Sequence, residues 1–179
     1  MFLQLAPFNL GKDGFILLAQ LRDRLVTRLG INIQLRHIET DPDFAWNARR
    51  NQYDTSKLLG LLDKMDGSNP ILGVCSVDLY IPIFTFVLGE AHLGGKAALV
   101  STFRLDNATY GLSPDPDLML DRLEKVALHE FAHLLGLVHC PDSSCLMNAV
   151  SSVEEVDLRG DAYCTTCHQF LRQAIEKRK

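Results

Sequence analysis

At 179 residues with 47% apolar side chains, the chain can build one globular domain with a substantial core, and it is too short for a second full one. Its net charge of −4 offers no basic stripe for a nucleic acid, and its apolar stretches are too short and too interrupted to span a bilayer. Residues 1–10 lack a positive segment followed by a continuous apolar run, so a cytoplasmic location is expected rather than export.

Asp13 to Leu29 reads as an amphipathic helix ended by Gly30, and Ile31 to Ile38 alternates as a strand with Ile31, Ile33 and Leu35 on one face. A second helix, capped by Thr55 or Ser56, runs through Met65. Asp66-Gly67-Ser68-Asn69-Pro70 is its exit loop before a strand at Ile71 to Leu79. Phe84 to Ala91 and Ala97 to Leu105 read as strands joined around Gly94-Gly95, the junction of a hairpin. Asp115-Pro116-Asp117 then opens a long helix with a cap, a proline in its first turn and acidic charge at the positive end of the dipole. A final helix covers about Tyr163 to Lys179, with a solvated charged tail. Strands alternating with helices make the fold class α/β.

The long helix carries the chemistry. From Val126 to Val138 the run is apolar except for His129, Glu130 and His133, and His139 follows it directly. Burying imidazole and carboxylate without partners costs a few kcal/mol per group, on the order of what a metal ion would repay. His129 and His133 are four residues apart, so they sit one turn above each other on one helical face and can share an ion. Glu130 is displaced by roughly 100° around the helix, within reach of a metal-bound water without binding the metal. Gly136 follows where the helix must end for the chain to turn back and deliver His139, and glycine accepts the positive φ that such an end commonly uses. Three imidazoles leave a zinc ion one open position, the mark of a catalytic site. The reaction class is metal-assisted amide hydrolysis, with Glu130 as general base.

Four of the five cysteines form a second pattern. Cys140 and Cys145 are spaced C-x4-C, and Cys164 and Cys167 follow as C-x2-C after eighteen residues, close to a four-thiolate zinc spacing. Two disulfides are the competing reading, disfavoured for a chain kept in a reducing compartment. A closed four-sulfur site is structural, pinning the segment after the active-site helix to the C-terminal region. His168 could replace a thiolate, Cys75 reads as a buried free thiol, and His37 and His92 read as surface histidines.

The run from His129 to His139 resembles the motif of the metzincin metalloproteases. His139-Cys140, Cys145, Met147 and Cys164-Thr165-Thr166-Cys167 make the chain similar to the archaemetzincins in particular. The resemblance continues upstream through Asp78-Leu79-Tyr80, Phe86-Val87-Leu88-Gly89-Glu90-Ala91 and Ser101-Thr102-Phe103-Arg104-Leu105, covering residues 70–170. It implies one metzincin-like domain over residues 1–179, with a twisted mixed sheet whose antiparallel edge strand lies over the active-site helix. Residues 1–136 would form the upper part, and residues 137–179 a lower part with a zinc-tied C-terminal helix. It makes Met147 the methionine of the turn beneath the catalytic zinc, and it assigns the substrate-binding edge to Phe84 to Glu90. No tyrosine follows Met147, so the switchable tyrosine ligand of some metzincins has no counterpart there. The expectation is a monomeric peptidase with two zinc ions per chain, one catalytic and one structural, acting on a peptide or protein. The alternative is a zinc-stabilised module that holds a peptide with little or no turnover.

Overall fold

The computed structural model describes residues 2–11, 14–38, 40–65, 67 and 69–178. The chain opens on strand β1 (Phe2–Phe8), then helix α1 (Gly14–Leu29) and strand β2 (Asn32–Leu35). After a 3-10 turn at Pro42–Ala45 come β3 (Trp46–Asn47), β4 (Gln52–Asp54), α2 (Thr55–Lys64), β5 (Ile71–Cys75) and β6 (Leu79–Tyr80). The hairpin strands β7 (Gly89–Ala91) and β8 (Ala97–Ser101) follow, and a second 3-10 turn (Asn107–Tyr110) leads into α3 (Pro116–Leu134). Two further helices, α4 (Val153–Leu158) and α5 (Thr165–Lys177), complete the chain.

Five strands form the main sheet in the order β2-β1-β5-β8-β7. The first four are parallel, and β7 joins the edge antiparallel to β8. Parallel strands covered on both faces read as continuous apolar runs, and every residue of β5 and β8 is buried. Alternate residues serve opposite layers: Leu72, Val74, Ala98 and Val100 pack with Leu21 and Leu25 of α1 and Val126 and Ala127 of α3. Ile71, Cys75, Ala97 and Leu99 face Leu58, Leu59 and Leu62 of α2. The result is a single α/β domain with a mixed sheet, its antiparallel edge packed on α3.

The interior strand β1 is an element that the sequence reading lacked. It pairs with β2 through Leu5 and with β5 through Phe8, so Pro7 sits inside the sheet. The Gln4 amide donates toward β5, to Pro70 O, whereas Leu5 O accepts from Arg36 on the β2 side. By alternation the position of the missing Pro7 N–H faces the β2 side, beyond the last pair there, and no ladder bond is lost.

Several boundaries are corrected. Asp13 and Lys179, placed at the ends of the first and last helices, lie outside the described residues, as do Asp66 and Ser68 of the loop after α2. The cap of α2 is Asp54, whose side chain accepts from Ser56 N at 3.0 Å, in place of Thr55 or Ser56. The strand from Ile71 ends at Cys75 because the next carbonyls turn to other partners, Val77 O accepting from the Ser101 hydroxyl at 2.6 Å. Asp78 then takes both Arg104 nitrogens, at 2.6 and 2.7 Å. Of Phe84 to Ala91, Gly89–Ala91 joins the main sheet and Val87 makes a single antiparallel bridge to Leu79 of β6. The Arg50 guanidinium takes the Phe84 and Thr85 carbonyls at 2.7 and 3.0 Å, which removes them from any ladder. The last helix starts at Thr165 rather than Tyr163, and Arg178 just beyond it reaches back to Leu134 O at 3.1 Å, tying α5 to the end of α3.

Candidate metal centre

The site is built on α3. Asp115 caps it by accepting from Leu118 N at 3.0 Å, and Pro116 takes the first position, where no N–H is needed. The helix closes in a Schellman motif: Gly136, at φ 94°, donates to His133 O at 2.9 Å, and Leu137 N donates to Ala132 O at 3.1 Å. That reversal brings His139 back to His129 and His133, with the three ring centroids 4.6 to 5.3 Å apart.

Each helical imidazole is fixed by a backbone carbonyl. His129 Nδ1 lies 2.9 Å from Leu146 O and His133 Nδ1 lies 2.6 Å from Leu137 O, so both Nδ1 atoms carry the proton and donate. The two Nε2 atoms are then bare and face each other at 3.0 Å. Two lone pairs at that distance repel unless a cation lies between them. A tetrahedral zinc ion with ordinary Zn–N bonds sets its donors about 3.3 Å apart, close to this spacing. Burial holds the His129 pKa down to about 3 and lowers that of His133, so both stay neutral, the form that binds metal.

Glu130 is buried beside them, 7% exposed. Burial pushes its carboxyl up to about 8, the Glu90 carboxylate adds to the rise, and the Arg159 guanidinium opposes it. The edge strand runs directly over this carboxyl. A Cβ at Gly89 would stand 2.8 Å from Glu130 Cγ and 2.8 Å from Leu99 O, so only glycine lets β7 pass at this height. Leu88, Glu90 and His92 turn their backbone groups toward β8, which leaves those of Gly89 and Ala91 facing outward along the edge. A cleft of about 690 Å³ opens there, with Phe86, Leu88, Val126, Val138 and Val150 as apolar walls and His129, Glu130, His133 and His139 as the polar floor.

The cysteines form a neighbouring cluster. The Sγ atoms of Cys140 and Cys164 are 3.9 Å apart, nearly twice a disulfide bond, and all five cysteines of the chain are free. Zinc bound to four thiolates spaces its sulfurs about 3.8 Å apart. Cys145 Sγ also accepts from the amides of Met147 and Cys164 at 3.4 and 3.3 Å, the bonding a thiolate asks for. Cys145, Cys164 and Cys167 stand with Cys140 as one candidate ligand set, and the three histidines form the other.

The segment between the two sets, Cys145 to Asn148, has every carbonyl from Leu146 onward committed. Leu146 O takes His129, Met147 O takes Cys140 N at 2.8 Å, and Asn148 O takes Arg159 at 3.1 Å. The Met147 side chain is fully buried. Outside the site, His37 and His168 are exposed, His92 pairs with Asp63 at 2.6 Å, and Cys75 is a buried thiol that burial pushes up to about 11. Gly89 and Arg159 were missed from the sequence. A glycine inside a strand was the available signal for the first, and a basic residue in an irregular segment gives none for the second.

An α/β sheet with an antiparallel edge over a helix bearing two imidazoles and a glutamate, with a third imidazole turned back onto them, defines a zinc metallopeptidase. The comparisons agree. Residues 23–173 match the model of Peptidase family M54. The archaemetzincin of Methanocaldococcus jannaschii is 40% identical over 131 residues, 73% of this chain and 72% of that one. The crystal structure of the Methanopyrus kandleri archaemetzincin superposes with a TM-score of 0.85 at 34% identity, covering 98% of this chain and 96% of that one. A zinc-dependent peptidase from Methanocorpusculum labreanum gives 0.85 at 29%, covering 94% and 99%. The chain belongs to Peptidase family M54, the archaemetzincins.

Proposed function

We propose that this chain hydrolyses peptide bonds with one zinc ion on His129, His133 and His139, Glu130 as general base, and a second, structural zinc ion on Cys140, Cys145, Cys164 and Cys167. The observation that carries the reading is the pair of bare Nε2 atoms facing each other at 3.0 Å beside a buried carboxylate, at the floor of a cleft under an open strand edge. Held by those residues, zinc would lower the pKa of a water at the site to about 7 and polarise a carbonyl.

The chain's own residues supply the rest. An extended peptide pairs with the outward groups of Gly89 and Ala91, which lays its scissile bond across the histidines. Glu130 takes the proton of the attacking water and returns it to the leaving amine nitrogen, its carboxyl standing buried beside the histidines at the cleft floor. Gly136 sets the turn that delivers His139, and the buried Met147 would serve as the apolar floor beneath the imidazoles. The sulfur site holds the irregular segment after Gly136 in place. No described helix is long and apolar enough to cross a membrane, and a cytoplasmic setting keeps the four thiols reduced. The cleft is complete within one chain, so the reading needs no second copy.

Cleavage of a broad peptide mixture by zinc-loaded protein, compared with Glu130→Ala, tests this. The expected result is zinc retained and turnover lost in the variant. Equal turnover by both proteins, or none by either, overturns it.

A further inference from the structure

Glu130 and the histidines share their cleft with a cation that acts on the Glu130 carboxyl through its charge but forms no hydrogen bond to it. Arg159, just after α4, is only 4% exposed and lines that cleft. Its Nη1 donates to Asn148 O at 3.1 Å. Nη1 also lies 3.1 Å from His129 Nδ1, but that nitrogen spends its own proton on Leu146 O and has no lone pair to accept another. Nε and Nη2 are buried with no partner, and among the described residues Arg159 forms no ion pair.

Arg122 shows what this fold does with a buried guanidinium that serves structure alone. Its nitrogens meet both Asp157 carboxylate oxygens at 2.7 Å, Leu105 O at 2.8 Å and Asn107 Oδ1 at 2.9 Å. A buried cation with donors unmet is costly, and such donors are normally satisfied by something. At Arg159 the chain supplies one firm acceptor and leaves the planar edge of the fork, Nε with Nη2, unmatched. Two parallel N–H groups of that kind fit the two oxygens of a carboxylate. Leu88, Val126 and Val150 line the same cleft, and apolar surroundings strengthen an ionic hydrogen bond.

We propose that Arg159 anchors a carboxylate-binding subsite in the cleft, which takes an acidic side chain of the substrate or its free C-terminal carboxylate. Both nitrogens are covered in the structure, so the guanidinium or its cover shifts as the carboxylate enters. That the ligand is a peptide rests on the peptidase reading, whereas the unmatched donors do not.

The test is calorimetric binding to the zinc-loaded protein of three short peptides: acetyl-Ala-Ala-Glu-amide, acetyl-Ala-Ala-Gln-amide and acetyl-Ala-Ala-Gln with a free C-terminus. The expected result is that one carboxylate-bearing peptide binds at least about tenfold more tightly than the neutral one, a charge-assisted pair in a dry site being worth that much. Which of the two is favoured identifies the source of the carboxylate. Arg159→Met, checked for zinc content and thermal unfolding, is expected to bind all three alike. Arg159→Gln keeps a donor for Asn148 O without the charge, is expected to do the same, and decides the matter if the Met variant fails to fold. A flat series in the wild type, no binding of any peptide, or a preference that survives both variants and so belongs to the metal, overturns the proposal. Binding is read without turnover, so loss of the peptidase reading with the preference intact is a separate result.

Discussion

Adding a single methyl group at Gly89 tests whether the edge strand and the general base are fitted to each other. In Gly89→Ala the new Cβ falls 2.8 Å from Glu130 Cγ, 2.8 Å from Leu99 O and 3.0 Å from Glu130 Oε1. Leu99 belongs to the buried neighbouring strand and cannot retreat, so Glu130 and the β7 backbone absorb the displacement. Overpacking of this kind costs roughly 1–3 kcal/mol. For a chain of this size each kcal/mol lowers Tm by about 2–4 °C, so the melting point falls by about 4–8 °C at the middle of that range. A base moved by close to an ångström loses on the order of 100-fold in kcat/KM. None of the three atoms nearest the new methyl group belongs to a histidine, so zinc content is expected to stay at the wild-type value. Peptide hydrolysis, elemental analysis and differential scanning calorimetry on one preparation read all three quantities. A Gly89→Ala variant with wild-type kcat/KM and wild-type Tm would refute the fit between strand and base.

Thiol chemistry gives a second test: at pH 8 the zinc-loaded protein should show no fast-reacting thiol, and chelation should release four. Cys75, buried and pushed up to about 11, should react only on unfolding, and a fifth fast thiol after chelation would contradict this burial. Cys164→Ser should lose one metal equivalent and about 4 kcal/mol or more of stability by urea titration, since loss of a structural metal belongs among the largest single-site effects. Full stability in that variant would count against a structural zinc. Arg122→Met leaves Asp157 without its guanidinium; because that carboxylate is partly exposed and can rehydrate, the cost should be about 2–3 kcal/mol, below that of a fully buried pair. Arg122 is remote from the cleft floor, so kcat/KM at 25 °C should be unchanged, and a loss of activity without loss of stability would show this reading of Arg122 to be wrong.

The parts of this molecule legible in the sequence are those where one residue type has one physical reason to be there. Asp115-Pro116 and Gly136 mark the two ends of α3 because caps and positive φ depend on local chemistry. Polar groups in an apolar run stand out for the same reason, and the structure brings His129, His133 and His139 together around one point. Strand β1 was missed because its apolar residues do not alternate and Pro7 argues against a central strand; only the register with β2 makes Pro7 harmless. Ser152-Val153-Glu154-Glu155 has the spacing of a capping box, and Ser152 does cap α4, so that helix was readable and overlooked. Phe84 looked like strand and is not, because Arg50, far away in the chain, takes its carbonyl. Gly89 and Arg159 depend on what lies opposite them in space: a glycine inside a strand hints at a close approach without naming its partner, and nothing local marks Arg159.

One planar peptide bond joins His139 to Cys140, the last histidine of one candidate ligand set to the first cysteine of the other. If zinc occupied both proposed sites, that bond would be a lever shared by two ions: seating either one would restrict the same pair of dihedral angles and spare the other that entropy. Each metal would then raise the affinity of its neighbour, and by the same factor, as reciprocity demands of any two linked equilibria. Oxidants that consume sulfur would then disarm the imidazole site without touching it, and a chelator would strip the protein over a narrow range of concentration instead of in two separate stages.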